Sequence, residues 1–460
     1  MERAMNSRPD AAASLGSLVR QEYQIPESYY FGEVKRGLRN SDGTGVLIGV
    51  TKVGSVQGYL IEDGRRVPMP GRLYYRGIDL NEIVEAHRKS GTFGYEEVAY
   101  LLLMGYLPTK SELSYFNDIM CKARKLPEGF TEGMIMRHPS RDIMNDLARS
   151  VLLLYSYDEN PDDTSADNLL TQSIKLIGSF PAIVANAYAV NRHYFDGESL
   201  HIHYPSAELS AAENFLRMIR PDASYTEEEA HLLDMMMMIH AEHGGGNNST
   251  FVCRALSSSG TDTYSAIAGA VGSLKGPLHG GANAKVMQMF RDVKAHVDAK
   301  DDSSIRDYLV KILSREAGDR SGKIYGLGHA VYTLSDPRAV LLKKYAGHLA
   351  EIKGFADDFA LLEKVETIGA SLLQEKRRSD DPICANVDMY SGLVYHMLGI
   401  PQEVFTPLFA TARIAGWCAN RMEEVLTGNR IMRPAYRAVT IHNHYLPMDQ
   451  REAHMELPEA

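Results

Sequence analysis

Two histidines and one aspartate in this sequence lie close to glycines, at predicted junctions between a loop and the next element of secondary structure. His279 lies in the run GPLHGGAN, His329 in YGLGHAVY and Asp388 in NVDMYSG. Glycine allows the backbone to approach a bound molecule closely. Imidazole and carboxylate groups are common proton donors and acceptors in catalysis. The three segments therefore indicate acid–base chemistry on a closely held substrate.

The elements that position these residues also influence their protonation. A helix is predicted to begin at Ala282, just after His279, and its positive end disfavours an imidazolium there. We therefore expect His279 to be a neutral hydrogen-bond donor at pH 7. Asp388 precedes another predicted helix, and as an ionised cap it would also suit a general base. A purely structural role, in a turn for His279 or as a cap for Asp388, is the alternative.

A second pair of histidines, His240 and His243, precedes the glycine triplet 244–246. A helix is predicted over 226–243, which would place the two imidazoles on one face. The pair could bind a metal ion, but the HExxH order typical of zinc enzymes is absent. The triplet instead indicates backbone wrapped around a small ligand.

The segment after His329 contains a candidate ligand for an anion. Asp336, followed by proline, is typical of a helix start with the carboxylate as cap. Arg338 would then lie in the first turn, where the helix dipole does not stabilise a cation, and this favours a ligand-binding role. The glycines before His329 form only part of a GxGxxG loop, without a βαβ pattern, so a dinucleotide-binding fold is not expected.

The size and charge of the chain limit its possible partners. Its 460 residues are 44% hydrophobic, which is enough for a large core and two or three domains. With 49 Lys and Arg against 59 Asp and Glu, the formal charge is −10. Nucleic acid is therefore not expected as a partner, and an anionic substrate needs a local cluster of Arg and His.

Cysteine spacing and hydropathy bear on the compartment. Four cysteines, far apart and without a CxxC pair, favour a reducing environment, so we expect a cytoplasmic protein without structural zinc or disulfides. The longest apolar run, Val98–Leu107, is too short to span a membrane. Residues 1–20 lack a secretory signal, and they are expected to form a disordered tail rather than a transit peptide.

Apolar residues recur mainly with helical periodicity, so a mostly α fold is predicted. Tyr95–Met104 is typical, since Gly105 follows it as a stop signal. Val46–Val53 and Gly58–Ile61, with a turn at Asp63-Gly64, predict a small antiparallel sheet near the N-terminus. The other predicted helices are 166–190, 207–220, 226–243, 261–274, 282–297, 303–316, 336–352, 357–376, 389–398 and 403–425.

Four motifs, in order, resemble the citrate synthase family: HxxHGGGNxS, GPLHGGAN, GLGHAVY followed by DPR, and NVDMYSG. The resemblance covers nearly the whole chain, from GRLYYRG at 71–77 to Arg433. It implies a mostly α homodimer in which each subunit has a large domain, 1–281 and 398–460, and a smaller mobile domain, 282–397. It also implies that oxaloacetate binds first and acetyl-CoA second, as a co-substrate, with no tightly bound cofactor.

The resemblance implies roles for the three acid–base candidates. Asp388 resembles the base that removes a methyl proton from acetyl-CoA. His279 resembles the donor to the enolate oxygen, and His329 the acid that polarises the oxaloacetate carbonyl. These roles agree with the chemistry, because a thioester α-proton is far less acidic than an aspartate. Its removal requires that the oxyanion be stabilised as it forms.

Further residues match binding positions of the family. His243 resembles an oxaloacetate ligand, and Ser249 resembles the residue that orients the enolate donor. Arg338 and Arg413 resemble carboxylate clamps, and Arg433 resembles the clamp that the other subunit supplies. Planar guanidinium groups suit a dicarboxylate better than lysine does. The region expected to hold CoA comprises Gly326, Leu327, Gly328, Ala330 and Asn386.

Three alternatives stay open. A 2-methylcitrate synthase uses propionyl-CoA, and one extra methylene changes binding by only ~1–3 kcal/mol. A zinc-dependent hydrolase would use His240, His243, His279 or His329 as metal ligands. A helical scaffold without activity would be expected to lack the catalytic set that this sequence retains.

Overall fold

The computed structural model describes residues 23–62, 65–377, 382–428, 430–440 and 444–452. Contacts divide the chain into two units, one of Ile48–Met432 and one of the terminal segments Met1–Leu47 and Arg433–Ala460. The predicted disordered tail of residues 1–20 lies outside the described residues. The predicted domain boundaries after 281 and 397 stay a prediction.

Helices make up most of Ile48–Met432, as the periodicity predicts. The first seven α-helices of the described residues are α1 Leu80–Ser90, α2 Tyr95–Met104, α3 Lys110–Ala123, α4 Ile143–Leu154, α5 Ala166–Asp196, α6 Ala211–Ile219 and α7 Glu227–His240. The next eight are α8 Asn248–Ser257, α9 Thr263–Lys275, α10 Ala282–His296, α11 Asp302–Leu313, α12 Pro337–Lys353, α13 Ala356–Arg377, α14 Asp388–Met397 and α15 Phe405–Leu426. Each predicted helix is present, and α1, α3, α4 and α8 are additional.

Short polar side chains determine where several helices begin. Thr109, Ser210 and Thr226 each accept a hydrogen bond from the N–H three residues later, and the glutamate at that position bonds back to the cap. This reciprocal pair satisfies two backbone donors that have no partner within the helix. Asp336 caps α12 ahead of Pro337, as predicted. The start of α12 matters for the site, because the predicted anion ligand is its second residue.

The sheet is an antiparallel meander of β1 Gly54–Glu62, β2 Arg65–Tyr75 and β3 Ile78–Asp79. The predicted small sheet is confirmed, but the predicted strand over 46–53 is wrong. Because Tyr75, the last residue of β2, pairs with Gly54, the residues before Gly54 have no partner on that strand for their backbone groups. The predicted turn at 63–64 lies outside the described residues.

α5 is apolar and long enough, by length and composition, to cross a membrane, with a mean hydropathy of 1.3 in its most apolar window. This helix contains no long uninterrupted apolar run, because polar residues and glycine are spread among its apolar ones. Inside the protein, 83% of that window is buried. The helix packs against α3, α4, α6 and α15. These contacts are those of a core helix.

Two buried helices bring side chains to the centre of Ile48–Met432. α7 contains Met235–Met238, each at most 1% exposed, and ends at His240. α15 packs against α7 and α8, and Arg413 and Trp417 on it are both fully buried. These helices position much of the candidate site.

Candidate active site

His279 lies in the turn before α10 and is oriented by Ser249 on α8. The backbone N–H of Ser249 donates to His279 Nε2 over 3.3 Å, and the Ser249 hydroxyl lies 3.0 Å from the same nitrogen. Because Nε2 accepts a hydrogen bond, the ring proton is assigned to Nδ1. The indole N–H of Trp417 donates to the Ser249 hydroxyl over 3.1 Å. The structure thus brings Ser249 and His279 together and gives His279 one tautomer.

The protonation state of His279 follows from its surroundings. Burial, and then the charge of Arg413, lowers the pKa of His279 to about 4. The imidazole is therefore neutral at pH 7, as we expected from the dipole of α10, although burial and Arg413 are the main causes. A neutral Nδ1–H can stabilise an oxyanion as it forms.

His329 lies in the loop between α11 and α12. Its Nδ1 accepts hydrogen bonds from the backbone N–H groups of Val331 and Tyr332, each over 3.1 Å. The ring proton is therefore assigned to Nε2. Tyr332 stacks on the imidazole with ring centroids 4.6 Å apart, and His243 meets it edge-on at 5.2 Å. These contacts hold His329 in one orientation, with Nε2–H as its donor.

Asp388 is the first residue of α14, but its side chain does not cap the helix. The alternative of a capping role for Asp388 is wrong, because no side chain caps α14 and Asp388 lies one residue inside it. The Asp388 backbone N–H itself donates to Asn386 Oδ1 over 3.0 Å. Among the described residues, no group donates a hydrogen bond to the Asp388 carboxylate. Burial raises the pKa of Asp388 to about 6, against the lowering effect of the Arg338 charge. The carboxylate is mostly ionised at pH 7 and is a stronger base than an ordinary aspartate.

A short backbone pairing connects the segments that carry His329 and Asp388. Residues 326–328 pair with residues 384–386 through an antiparallel bridge and two backbone hydrogen bonds of 2.8 and 2.9 Å. The Asn386 side-chain nitrogen donates to the carbonyl oxygen of Gly328 over 2.9 Å. Gly326 and Gly328 have φ values of +86° and +89°, which glycine adopts readily. Four of the five residues predicted to hold CoA thus build this pairing, and the fifth, Ala330, is exposed beside it.

Arg338, the second residue of α12, is buried against Asp336. Its Nε and Nη2 donate to the two carboxylate oxygens of Asp336 over 3.0 and 2.7 Å. Asp336 also accepts from the backbone N–H of Val387 over 3.2 Å, which ties the start of α12 to α14. Burial opposes the charge of Arg338, but Asp336 outweighs burial and raises the pKa of the guanidinium. Arg338 is thus a fixed cation whose Nη1 is not used by Asp336.

Arg413 places a fully buried charge in the centre of the site. Its Nε donates to the carbonyl oxygen of His240 over 2.5 Å, whereas neither Nη1 nor Nη2 has an acceptor among the described residues. Burial lowers the pKa of Arg413 only to about 10, so the group is charged at pH 7. A buried cation with unpaired donors is costly unless an anion binds it. Arg413 is therefore the strongest sign of an anionic substrate.

Three other candidates converge on this guanidinium. Burial is the largest influence on the pKa of His243, His279 and Asp388, and the charge of Arg413 acts on each of the three. Since such influence falls off with distance, the three groups share one site with Arg413.

His240 and His243 do not share a helical face, so that prediction is wrong. α7 ends at His240, and Gly244 has φ +82°, which an α-helix does not accommodate. His243 therefore lies in the segment after the helix. Its Nε2, and both ring nitrogens of His240, are buried without a partner among the described residues. Burial, and then Arg338, lowers the pKa of both rings well below the usual value, so both are neutral.

Two residues of the site were missed by sequence reasoning. Glu242 is fully buried and accepts a hydrogen bond of 2.9 Å from the Asn420 amide; burial raises the pKa of its carboxyl, against the lowering effect of the Arg413 charge. Trp417 supports Ser249, as described above. Trp417 could have been found, because it is the only tryptophan of the chain and lies four residues after Arg413, on the same face of a helix.

Arg433 belongs to the unit of terminal segments, so it is not among the residues that Ile48–Met432 brings together. Its predicted role as a clamp stays a prediction. Within the described residues, no group of three or more His, Cys, Asp or Glu side chains is arranged to hold a metal ion. The zinc-hydrolase alternative therefore finds no support in that part of the chain.

Comparisons with known proteins agree with this site. The family model described as citrate synthase, C-terminal domain, matches residues 42–435. A citrate synthase of Deinococcus radiodurans is 37% identical over 384 residues, covering 83% of this chain and 93% of that protein. A 2-methylcitrate synthase of Shewanella oneidensis is 33% identical over 366 residues, covering 79% of this chain and 87% of that protein.

A solved structure gives the same result for the fold. The citrate synthase of the thermophilic archaeon Thermoplasma acidophilum, in a ternary complex with carboxymethyl coenzyme A and oxaloacetate, matches with a TM-score of 0.75. It is 26% identical, and the match covers 92% of this chain and 100% of that one. The mostly α fold and its site thus define an enzyme that transfers an acyl group. The chain belongs to the citrate synthase family.

Proposed function

We propose that this protein is a citrate synthase, which condenses acetyl-CoA with oxaloacetate and hydrolyses the citryl thioester to citrate and CoA. The observation that carries the proposal is the surroundings of Arg413, whose two terminal nitrogens have no acceptor among the described residues. An unengaged carboxylate, Asp388, and the donor His279 converge on this guanidinium. This set provides a base, an oxyanion donor and an anion-binding group in one place.

In the first step, Asp388 removes a proton from the methyl group of acetyl-CoA. The raised pKa of Asp388, about 6, reduces the difference between the pKa of this base and that of the weakly acidic methyl group. The carboxylate still remains mostly ionised at pH 7. His279 donates from Nδ1 to the thioester oxygen, which gains negative charge as the proton leaves. Ser249 holds Nε2 of that ring, so the donor is oriented before the substrate arrives.

Oxaloacetate is proposed to bind with its carboxylates on Arg413 and Arg338, two buried guanidinium groups of the site. His243, whose Nε2 has no partner among the described residues, is proposed as a further ligand. Arg433 of a second copy is proposed to complete the clamp. The citrate synthase of Thermoplasma acidophilum holds the same dicarboxylate in its ternary complex.

In the second step, the enolate carbon attacks the ketone carbon of oxaloacetate. His329 donates from Nε2 to the ketone oxygen, so the new hydroxyl receives its proton as the carbon–carbon bond forms. Water then cleaves the citryl thioester, and CoA leaves as the thiol. The sequence is redox-neutral. The proton that Asp388 gains equals the one that His329 gives up, so both groups return to their starting states by exchange with solvent, and hydrolysis yields citrate, the CoA thiol and one proton released to water.

A 2-methylcitrate synthase is the second candidate, because curated relatives of both kinds align over most of the chain. The test is release of free CoA thiol with oxaloacetate, comparing acetyl-CoA with propionyl-CoA at matched concentrations. Faster release from acetyl-CoA is the expected result. Preference for propionyl-CoA would instead indicate a 2-methylcitrate synthase. No release of CoA from either thioester would refute both proposed functions. We further propose a cytoplasmic homodimer, which light scattering and fractionation would test.

A further inference from the structure

The hairpin of β1 and β2 has an irregularity where it meets the loop that carries His329. The ladder shifts register between Gln57 and Tyr59. The shift leaves Gly58 on β1 and Gly71 on β2 outside the regular pairing of the two strands. Bulges of this kind occur often beside active sites, where they free backbone groups for other partners.

The freed backbone groups of the two glycines bond to the loop instead. The Gly71 N–H donates to the carbonyl oxygen of Ser335 over 3.1 Å and also lies 3.2 Å from the Ser335 hydroxyl. The Gly58 carbonyl accepts a hydrogen bond from the Thr333 hydroxyl over 3.4 Å. The hairpin and the loop therefore share hydrogen bonds that would otherwise lie within the sheet.

Neither glycine leaves room for a side chain. A methyl group at Gly58 would overlap the carbonyl oxygen of Val331 and lie 2.9 Å from Tyr332 Cα. A methyl group at Gly71 would overlap the carbonyl oxygen of Ser335 and lie 2.5 Å from the Tyr332 ring. Because the overlapped atoms are backbone, no side-chain rotation relieves the clash, and the loop itself would have to move.

The part of the loop that crosses the hairpin also holds the site. Tyr332 donates its N–H to His329 and stacks on its ring at 4.6 Å. Ser335 immediately precedes Asp336, which caps α12 and fixes Arg338 through two hydrogen bonds. A displacement of the loop at the hairpin would therefore reach both His329 and Arg338.

We infer that the hairpin is a backbone cradle for this loop, and that Gly58 and Gly71 are positioning residues for His329 and Arg338. The inference rests on the proposed function, because it assigns the cradle to the half of the site that would bind oxaloacetate. Neither glycine is a catalytic residue; both act through the loop.

Steady-state kinetics of Gly71→Ala and Gly58→Ala tests the inference. Misplacement of reacting groups by about 1 Å costs about a hundredfold in rate, so kcat should fall on that order. The KM for oxaloacetate should rise more than the KM for the thioester, because Arg338 moves with the loop. Gly272→Ala is the matched control: it lies in α9, where a methyl group meets nothing within 4 Å, and should behave as wild type.

Amide hydrogen exchange of residues 329–335 provides a readout that does not depend on turnover. Exchange there should be faster in Gly71→Ala and Gly58→Ala than in Gly272→Ala. Wild-type exchange together with a wild-type KM for oxaloacetate in both variants would overturn the inference. If wild type releases no CoA, the proposed function fails, whereas the exchange result still decides whether the cradle exists.

A third variant covers the case in which the alanine variants do not fold. Thr333→Val removes only the hydroxyl that donates to Gly58, with almost no change in shape. It should speed exchange of the loop and raise the KM for oxaloacetate by a smaller factor than the glycine variants. Unchanged exchange and an unchanged KM in Thr333→Val would count against the cradle.

Discussion

Replacing Asp388 by Asn should stabilise the folded protein at neutral pH while removing the proposed base. Burial raises the pKa of Asp388 from its usual 3.8 to about 6. A difference of about two pH units corresponds to about 3 kcal/mol of destabilisation when the group is ionised. Since solvent reaches part of the side chain, the expected gain in the free energy of unfolding at pH 8 is ~1–3 kcal/mol.

The sign of the pH dependence follows from the direction of the shift. The folded state holds the Asp388 proton more tightly than the unfolded state, so below pH 3.8 both states are protonated and the substitution has no charge effect. As the pH rises toward 6, wild type loses stability that the variant keeps. The difference between the two proteins should therefore be largest at pH 8 and about half as large at pH 5.

Urea unfolding of the ligand-free proteins at pH 5 and pH 8 measures this difference. Asp307→Asn is the control, because Asp307 is an exposed residue of α11, and this substitution should change stability little at either pH. A variant at position 388 that is less stable than wild type at pH 8 would refute the reasoning. So would a gain in stability that does not depend on pH.

The remaining predictions concern activity. Arg413→Lys keeps a charge but loses the planar fork, so titration calorimetry should show oxaloacetate binding weakened by ~10–100-fold; unchanged affinity would remove Arg413 from the clamp. Trp417→Phe deletes the donor to Ser249, and a hydrogen bond worth ~1 kcal/mol should lower kcat several-fold without a change in the KM for oxaloacetate. The pH profile of kcat/KM should fall below pH 6, following Asp388, and an acid limb only near pH 4 would contradict this. Mixing Arg433→Ala with Asp388→Asn subunits should restore activity, because one of the two sites then carries neither lesion; no recovery would argue against a shared site.

Helices with a broad apolar stripe can be predicted from the sequence, whereas helices with a narrow one cannot. α3 is not predicted because only Phe116 and Met120 of its 14 residues are buried. The apolar segment 46–53 is predicted as a strand but does not form one. Its composition favours a strand, but β2 provides no partner before Gly54, and a strand needs that partner.

Motifs located the acid–base candidates, but the local contacts around them depend on details that the motifs do not contain. Asp388 has the residue type of a helix cap, yet it is already the first residue of α14, and its carboxylate accepts no backbone N–H of that helix. Asn386 accepts the N–H of Asp388 instead. Gly244 ends the helix of His240 earlier than the periodicity indicated, and this separates the histidine pair.

Long-range contacts had no local signal at all. The unpaired nitrogens of Arg413 follow from tertiary packing of α15 against α7, far apart in the sequence. Gly71 is required by a loop that lies more than 250 residues away in the chain, since its N–H bonds to Ser335.

The most direct test of the account is a comparison of wild type with Asp388→Asn in two assays: CoA release from acetyl-CoA with oxaloacetate, and oxaloacetate binding by calorimetry. The substitution preserves shape and removes the base. The account predicts that turnover falls by ~10²–10⁴-fold while oxaloacetate affinity stays close to that of wild type. Near-normal turnover in Asp388→Asn would contradict the central claim that Asp388 removes the proton.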